Sequence, residues 1–277
     1  MRTELEINFD NRPIGVFDSG IGGITVLREL VKYFPTENFI YLGDTARLPY
    51  GSKSPETVRQ YSLQIMKYLL RADVKAIVVA CNTASTQVPE SLFEGVPVYN
   101  VIDPGAELAA ASSENGKIGV LATRATIQSN AYADRIHKLL PTAQVFNQAC
   151  PLFVPLAEEA WYDDPVTNLI AFRYLQNLKA AEVDTVVLGC THYPLLKNSI
   201  RKVFGNYVKL IDSGEAISRL LEKDLASGRI HKCAADQKSY LKIHLTDASE
   251  QFENLSNELL CTVTANFIEF ETVSVIP

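Results

Sequence analysis

Val78-Val79-Ala80-Cys81-Asn82-Thr83 is a short apolar run that stops at a cysteine followed by two small hydrogen-bonding residues, and the construction returns as Val186-Val187-Leu188-Gly189-Cys190-Thr191-His192. Runs such as Ala76-Ile77-Val78-Val79-Ala80 and Thr185-Val186-Val187-Leu188, rich in β-branched residues and without polar alternation, predict strands buried on both faces of a parallel sheet. Each cysteine then stands at the carboxyl end of its strand, where open α/β sheets place their ligand crevices. A helix N-terminus close by would help such a thiol ionise. The two segments are roughly a hundred positions apart, about the size of one small domain. One substrate held between two matched reactive groups is the reading they invite.

Working outward, Pro13-Ile14-Gly15-Val16-Phe17 predicts a first strand, followed by the glycine-rich turn Asp18-Ser19-Gly20-Ile21-Gly22-Gly23 and a helix over 24–33. Glycines let backbone amides approach a ligand, and a helix N-terminus favours an anion. The turn lacks the full GxGxxG spacing and the lysine of a phosphate-binding loop, so a bare tight turn outweighs a nucleotide site. Asp18, an acid at the tip of a buried strand, is either catalytic or a helix cap. Phe39-Ile40-Tyr41-Leu42 predicts the next strand, leading into the polar loop Gly43-Asp44-Thr45-Ala46-Arg47-Leu48-Pro49-Tyr50-Gly51. Its Asp44 and Arg47 could be a plain surface pair, or the loop could carry recognition groups. Ser54 as N-cap and Pro55 at the first helical position open a helix to about residue 72.

Strands are further expected over 96–102, 117–123, 143–146, 208–211, 239–246 and 267–270. Helices are expected from 103 onward and over 125–140, 165–181, 212–225 and 248–260, with another after Cys150-Pro151-Leu152-Phe153-Val154-Pro155. The strand and turn at 117–123 hold the same place in their half as the first strand does in its own. Two similar α/β halves with mostly parallel sheets follow, the first spanning 13–101 plus 212–277 and the second 102–211, with an active site in the cleft between them.

Bulk properties narrow the function. Of 277 residues, 47% are apolar and 21% charged, which is ordinary for a soluble globular protein. The net charge of −6 offers no basic footprint for nucleic acid. No apolar stretch approaches the roughly 20 residues that span a bilayer. The polar, acidic start from Met1 to Arg12 lacks the pattern of a secretory signal, which makes the cytoplasm the default location. Five cysteines, an odd number with no CxxC pair, argue against a disulfide framework and against structural zinc.

Three chemistries fit the cysteines. Cys190 and His192 could serve a thiol hydrolase or acyl transferase, which leaves Cys81 redundant. Both cysteines could be inert and buried in a binding protein. Or two thiols could act on opposite faces of one carbon, one removing a proton and the other returning one, which inverts a stereocentre without a cofactor. Two cysteines in matched strand-end contexts favour the last.

The chain resembles the glutamate racemases of the aspartate/glutamate racemase superfamily. The resemblance is carried by Val16-Phe17-Asp18-Ser19-Gly20-Ile21-Gly22-Gly23, by Gly43-Asp44 with Arg47 and Pro49-Tyr50-Gly51, and by Ala80-Cys81-Asn82-Thr83-Ala84-Ser85. Gly189-Cys190-Thr191-His192-Tyr193-Pro194 and Cys150-Pro151 with Val154-Pro155-Leu156 and Glu158 complete it. One departure is Asp103, where the family often has Glu. The resemblance implies interconversion of L- and D-glutamate without cofactor or metal, supplying D-glutamate for peptidoglycan. It implies that Cys81 takes the α-proton of the D-isomer with help from Asp18, and Cys190 that of the L-isomer with help from His192, with Glu158 near His192. Asp18, Ser19, Tyr50, Gly51, Asn82, Thr83, Thr191 and His192 match substrate-contacting positions, and Thr123 and Thr126 could add to them. Aspartate or another small acid is the nearest rival substrate. No membrane or nucleic-acid partner is expected, and an exposed helix face could support a homodimer.

Overall fold

The computed structural model describes residues 9–234, 238–263 and 268–275. In chain order the elements are β1 (Ile14–Asp18), α1 (Gly23–Tyr33), β2 (Phe39–Gly43), α2 (Pro55–Arg71), β3 (Ala76–Val79), α3 (Asn82–Ser85), β4 (Leu92–Phe93) and β5 (Val96–Asn100). Then come α4 (Ile102–Ser112), β6 (Lys117–Ala122), α5 (Arg124–Gln128), α6 (Ala131–Leu139), β7 (Gln144–Ala149), α7 (Phe153–Glu158), α8 (Pro165–Ala180) and β8 (Thr185–Gly189). The chain closes with α9 (Lys197–Phe204), β9 (Lys209–Asp212), α10 (Ser213–Ser227), β10 (Leu241–Leu245), α11 (Glu250–Leu260) and β11 (Ile268–Thr272).

Two sheets result. The first runs β11-β10-β2-β1-β3-β5-β4 and the second β7-β6-β8-β9. Among the described residues every pairing is parallel except β4 with β5. The apolar runs of the sequence are explained by burial on both faces. Val16 and Val78 face one core cluster while Phe17 and Val79 face another, and in the second sheet Val186 and Val187 divide the same way. Each fully buried aliphatic side chain of this kind contributes about 1.5–3 kcal/mol.

Both sheets reverse their strand order in the middle. The chain steps from β1 to β2 on one side and returns to β3 on the other; it repeats this from β6 to β7 and back to β8. The crevices at these reversals, between β1 and β3 and between β6 and β8, are the natural ligand sites of such sheets. Cys81 follows β3 and Cys190 follows β8. We propose that the chain crosses between its two halves near residues 101–102 and 211–212, since β9 completes the second sheet and α10 leads back to the first.

Local signals behave as their chemistry requires. Ser54 caps α2 by accepting from the Thr57 amide, and Asp212 caps α10 by accepting from the Gly214 amide. Four expectations change. The single helix over 125–140 is two, α5 and α6, because Asn130 adopts φ 55°, a left-handed conformation that asparagine tolerates and that breaks the helical ladder. The short strand over 143–146 extends to Ala149 because it pairs with β6 along its whole length. The strand over 267–270 is Ile268–Thr272 at the sheet edge, with Phe267 outside the described residues. Asp44 and Arg47 are not a surface pair: Asp44 is 0% exposed and accepts from the Arg47 Nε at 2.8 Å. Among the described residues no helix is long and apolar enough to cross a membrane.

Candidate active site

The carboxyl ends of the two sheets enclose a cleft of about 560 Å³. Its wall takes Ser19, Tyr50, Gly51, Cys81, Asn82 and Thr83 from one side and Thr123, Glu158, Cys190, Thr191 and His192 from the other. Of the residues singled out in the sequence, these face the cleft together. Asp18 lies behind the wall. Its carboxylate is fully buried and accepts from the Gly23 amide at 3.0 Å, the Gly20 amide at 3.3 Å and the Thr191 hydroxyl at 3.4 Å.

Cys81 is the N-cap of the short α3, its sulfur accepting from the Ala84 amide at 3.4 Å. Its thiol donates to Ser19 Oγ at 3.9 Å. The helix amide favours a thiolate, as the sequence reading expected, but burial and the nearby Asp18 carboxylate outweigh it and push the thiol well above its ordinary value. Cys81 therefore rests as a thiol. Burial likewise raises Asp18, with His192 and the turn amides pulling the other way.

Cys190 has a different neighbour. Its sulfur is 3.8 Å from Nδ1 of His192, whose Nε2 is 3.2 Å from a Glu158 carboxylate oxygen. Burial disfavours a charged imidazole, yet hydrogen bonds to Cys190 and Glu158 win and lift His192 to about 10. An imidazolium carries N–H on both nitrogens, one for each partner. The contact selects Glu158 from the adjacent acids; Glu159 is exposed.

The glycine turn has a steric purpose. A Cβ on Gly22 would lie 2.4 Å from both His192 Nδ1 and Thr191 Oγ1, and a Cβ on Gly23 would lie 2.3 Å from Asp18 Cβ. Only bare backbone lets the Thr191-His192 segment seat on the turn. Thr25 fixes that seat by donating to the Thr191 carbonyl at 2.8 Å.

Three predicted binding side chains are partly occupied. The Tyr50 hydroxyl donates to Asp44, which also holds Arg47 and accepts from Thr246 at 3.0 Å. The Asn82 carbonyl oxygen accepts from the Tyr132 hydroxyl at 2.6 Å, and its amide donates to Ser213 Oγ at 3.3 Å. The Thr83 hydroxyl meets Thr123 at 3.0 Å and Thr126 at 3.2 Å, so three threonines close a triangle across the cleft. Sequence reasoning missed Lys53 and Arg124, two cations on the cleft wall. No motif marked them; only the fold brings both to the same cleft.

The arrangement offers two sulfurs at facing strand ends, one protonated and one beside an imidazolium, with hydroxyls and two cations suited to carboxylates. Comparison with known proteins shows the family. Residues 14–221 match the family model described as Asp/Glu/Hydantoin racemase. A glutamate racemase of Geobacter metallireducens is 48% identical over 90% of this chain and 93% of its own, and one of Syntrophus aciditrophicus is 45% identical over 90% and 92%. The crystal structure of glutamate racemase from Francisella tularensis in complex with D-glutamate superposes with a TM-score of 0.88 at 38% identity, covering 97% of this chain and 99% of that one. The chain belongs to the Asp/Glu/Hydantoin racemase family.

Proposed function

We propose that the protein interconverts L- and D-glutamate by a two-thiol, two-base mechanism without a cofactor, and so supplies D-glutamate for peptidoglycan. The observation that carries this reading is the pair of sulfurs at facing strand ends around one cleft, with His192 and Glu158 behind only one of them. Cys190, beside the His192 imidazolium, takes the α-proton of L-glutamate as its thiolate. The electron pair left on Cα delocalises into the α-carboxylate. Cys81, protonated at rest, returns its proton to the opposite face, and D-glutamate results. The enzyme is then left with a Cys81 thiolate and a Cys190 thiol, the form ready for D-glutamate, and Asp18 assists Cys81 in that direction. Exchange with water resets either form.

The α-proton of an amino acid is only weakly acidic, so the cleft must supply more than a base. Exclusion of water strengthens every charge interaction within it. Ser19, Thr83, Thr191 and the cations Lys53 and Arg124 are placed to bind the two carboxylates while the substrate ammonium stays protonated. Closure of the halves on the substrate would complete the exclusion; solution scattering with and without glutamate should report compaction, and unchanged scattering would count against closure.

The test of the reaction is optical. Purified protein with chelator and no added cofactor should bring the circular dichroism of L-glutamate to zero, and do the same from D-glutamate. A steady signal from glutamate, with loss of signal from aspartate, would reassign the substrate; a steady signal from both would remove the racemase reading.

A further inference from the structure

Two-base inversion is demanding in one respect beyond binding. Both sulfurs must reach the same carbon from opposite sides, so their separation matters as much as the environment of each. Cys81 belongs to the first half and Cys190 to the second, and something must hold them at a fixed span.

Tyr132, on α6 of the second half, is 2% exposed and lies behind the cleft wall. Its hydroxyl donates at 2.6 Å to the side chain of Asn82, the residue after Cys81. Its ring bears on Gly189, the residue before Cys190: a Cβ there would lie 3.1 Å from ring Cε2. From the far side the ring is backed by Gly105 on α4, where a Cβ would lie 3.2 Å from both Cε1 and the phenol oxygen. Ser213 closes the circuit, accepting from Asn82 Nδ2 at 3.3 Å and lying 3.4 Å from the Leu188 carbonyl at the end of β8. One rigid, buried side chain thus contacts the chain immediately beside each thiol. Burial keeps its phenol protonated and a hydrogen-bond donor throughout the working pH range.

We propose that Tyr132 is a positioning residue that sets the span between the two thiols, its hydroxyl holding Asn82 next to Cys81 and its ring bearing on Gly189 next to Cys190. This rests on the racemase reading given above. Tyr132 does not line the cleft among the described residues; it acts on the cleft through Asn82, whose side chain it holds beside Cys81. Misplacement of a reacting group by about 1 Å costs on the order of a hundredfold in rate.

Two variants test it from opposite ends. Tyr132→Phe keeps the ring and removes the hold on Asn82. Gly105→Ala keeps the hydroxyl and presses the ring toward Gly189, while replacing a helical glycine by the better helix former. Wild-type protein is assayed first, and failure to racemise overturns the racemase reading and this proposal together. With active wild type, both variants should lower kcat by about tenfold or more, and Gly105→Ala, which keeps the bond to Asn82, should leave KM nearly unchanged. The α-deuterium isotope effect should rise in at least one direction, because proton transfer becomes more limiting. Gly105→Ala should do so without a lower melting temperature. Unchanged kcat in Tyr132→Phe, or losses of kcat that track melting while the isotope effect stays fixed, would overturn the positioning role and leave the racemase reading standing.

Discussion

Cys81 and Cys190 follow equivalent strands, β3 and β8, each beside the point where its sheet reverses strand order, yet their surroundings have little in common. At the first, the two residues that follow, both on the cleft wall, are tied to neighbours: Asn82 to Tyr132 and Ser213, Thr83 to Thr123 and Thr126. At the second, Thr191 docks on the glycine turn and His192 folds back onto its own sulfur. The repeated topology places two identical groups symmetrically, and the residues just after each sulfur make them chemically unequal. The proposed two-base reaction would gain from this, since at rest it needs one base and one acid.

Removing either sulfur breaks the comparison most completely. Cys81→Ala and Cys190→Ala should each abolish racemisation, a loss at least as large as the roughly 10²–10⁴-fold that one general base supplies. The two should fail differently. Cys81→Ala should still exchange the α-proton of L-glutamate with solvent, and Cys190→Ala that of D-glutamate, as followed by NMR in deuterium oxide. Next comes His192→Asn, which removes the imidazolium but not the sulfur. It should slow turnover about a hundredfold and raise the α-deuterium isotope effect chiefly for L-glutamate. Glu158→Gln keeps the shape and removes the charge behind His192. A partly exposed charged hydrogen bond of this kind should cost about tenfold in kcat, with the same directional bias.

The inequality also has a pH signature. His192 is raised from an ordinary 6.5 to about 10 in the folded protein. A raised folded value means that protonation favours the native state. Its contribution is fully present below the unfolded value and is lost as pH rises through the folded one. Between pH 6.5 and about 10 the melting temperature of wild type should therefore fall more steeply than that of His192→Asn. A parallel decline in the two proteins would show that His192 is not held protonated. The smallest effect belongs to the contact between the halves. Thr25→Val removes the donor to the buried Thr191 carbonyl and should lower stability by about 1–3 kcal/mol in denaturant unfolding.

The sequence announced much of this arrangement and hid the remainder for a physical reason. Both cysteine strands were legible because burial on two faces writes an unbroken β-branched run, and a strand that ends in Cys-Asn-Thr or Cys-Thr-His stops being core where its chemistry begins. Caps such as Ser54 were legible because they act within one turn. The break at Asn130 was not, because a left-handed residue inside an otherwise helical pattern carries only a weak local signal. Gly22 and Gly23 read as a tight turn, and their steric purpose emerged only in the fold, with Thr191 and His192 packed on Gly22 and Asp18 and Tyr41 on Gly23. Whether Asp44 was a surface acid or part of a recognition loop stayed open, because its partners Tyr50 and Thr246, the latter just past β10, meet it only in the fold. The thiolate expected at Cys81 followed from a local helix terminus, whereas burial and Asp18, both tertiary, decide the outcome. Tyr132 carried no signal at all, since its significance lies in touching the neighbours of two cysteines that the sequence keeps far apart.

The most direct measurement is early-time proton NMR of L-glutamate with the protein in deuterium oxide, with the enantiomers resolved. Two bases on opposite faces require that the first D-glutamate formed carry deuterium at Cα while the remaining L-glutamate still carries its proton. Deuterium entering both enantiomers at equal rates from the outset would point to one base serving both faces, and would contradict the division of labour between Cys81 and Cys190.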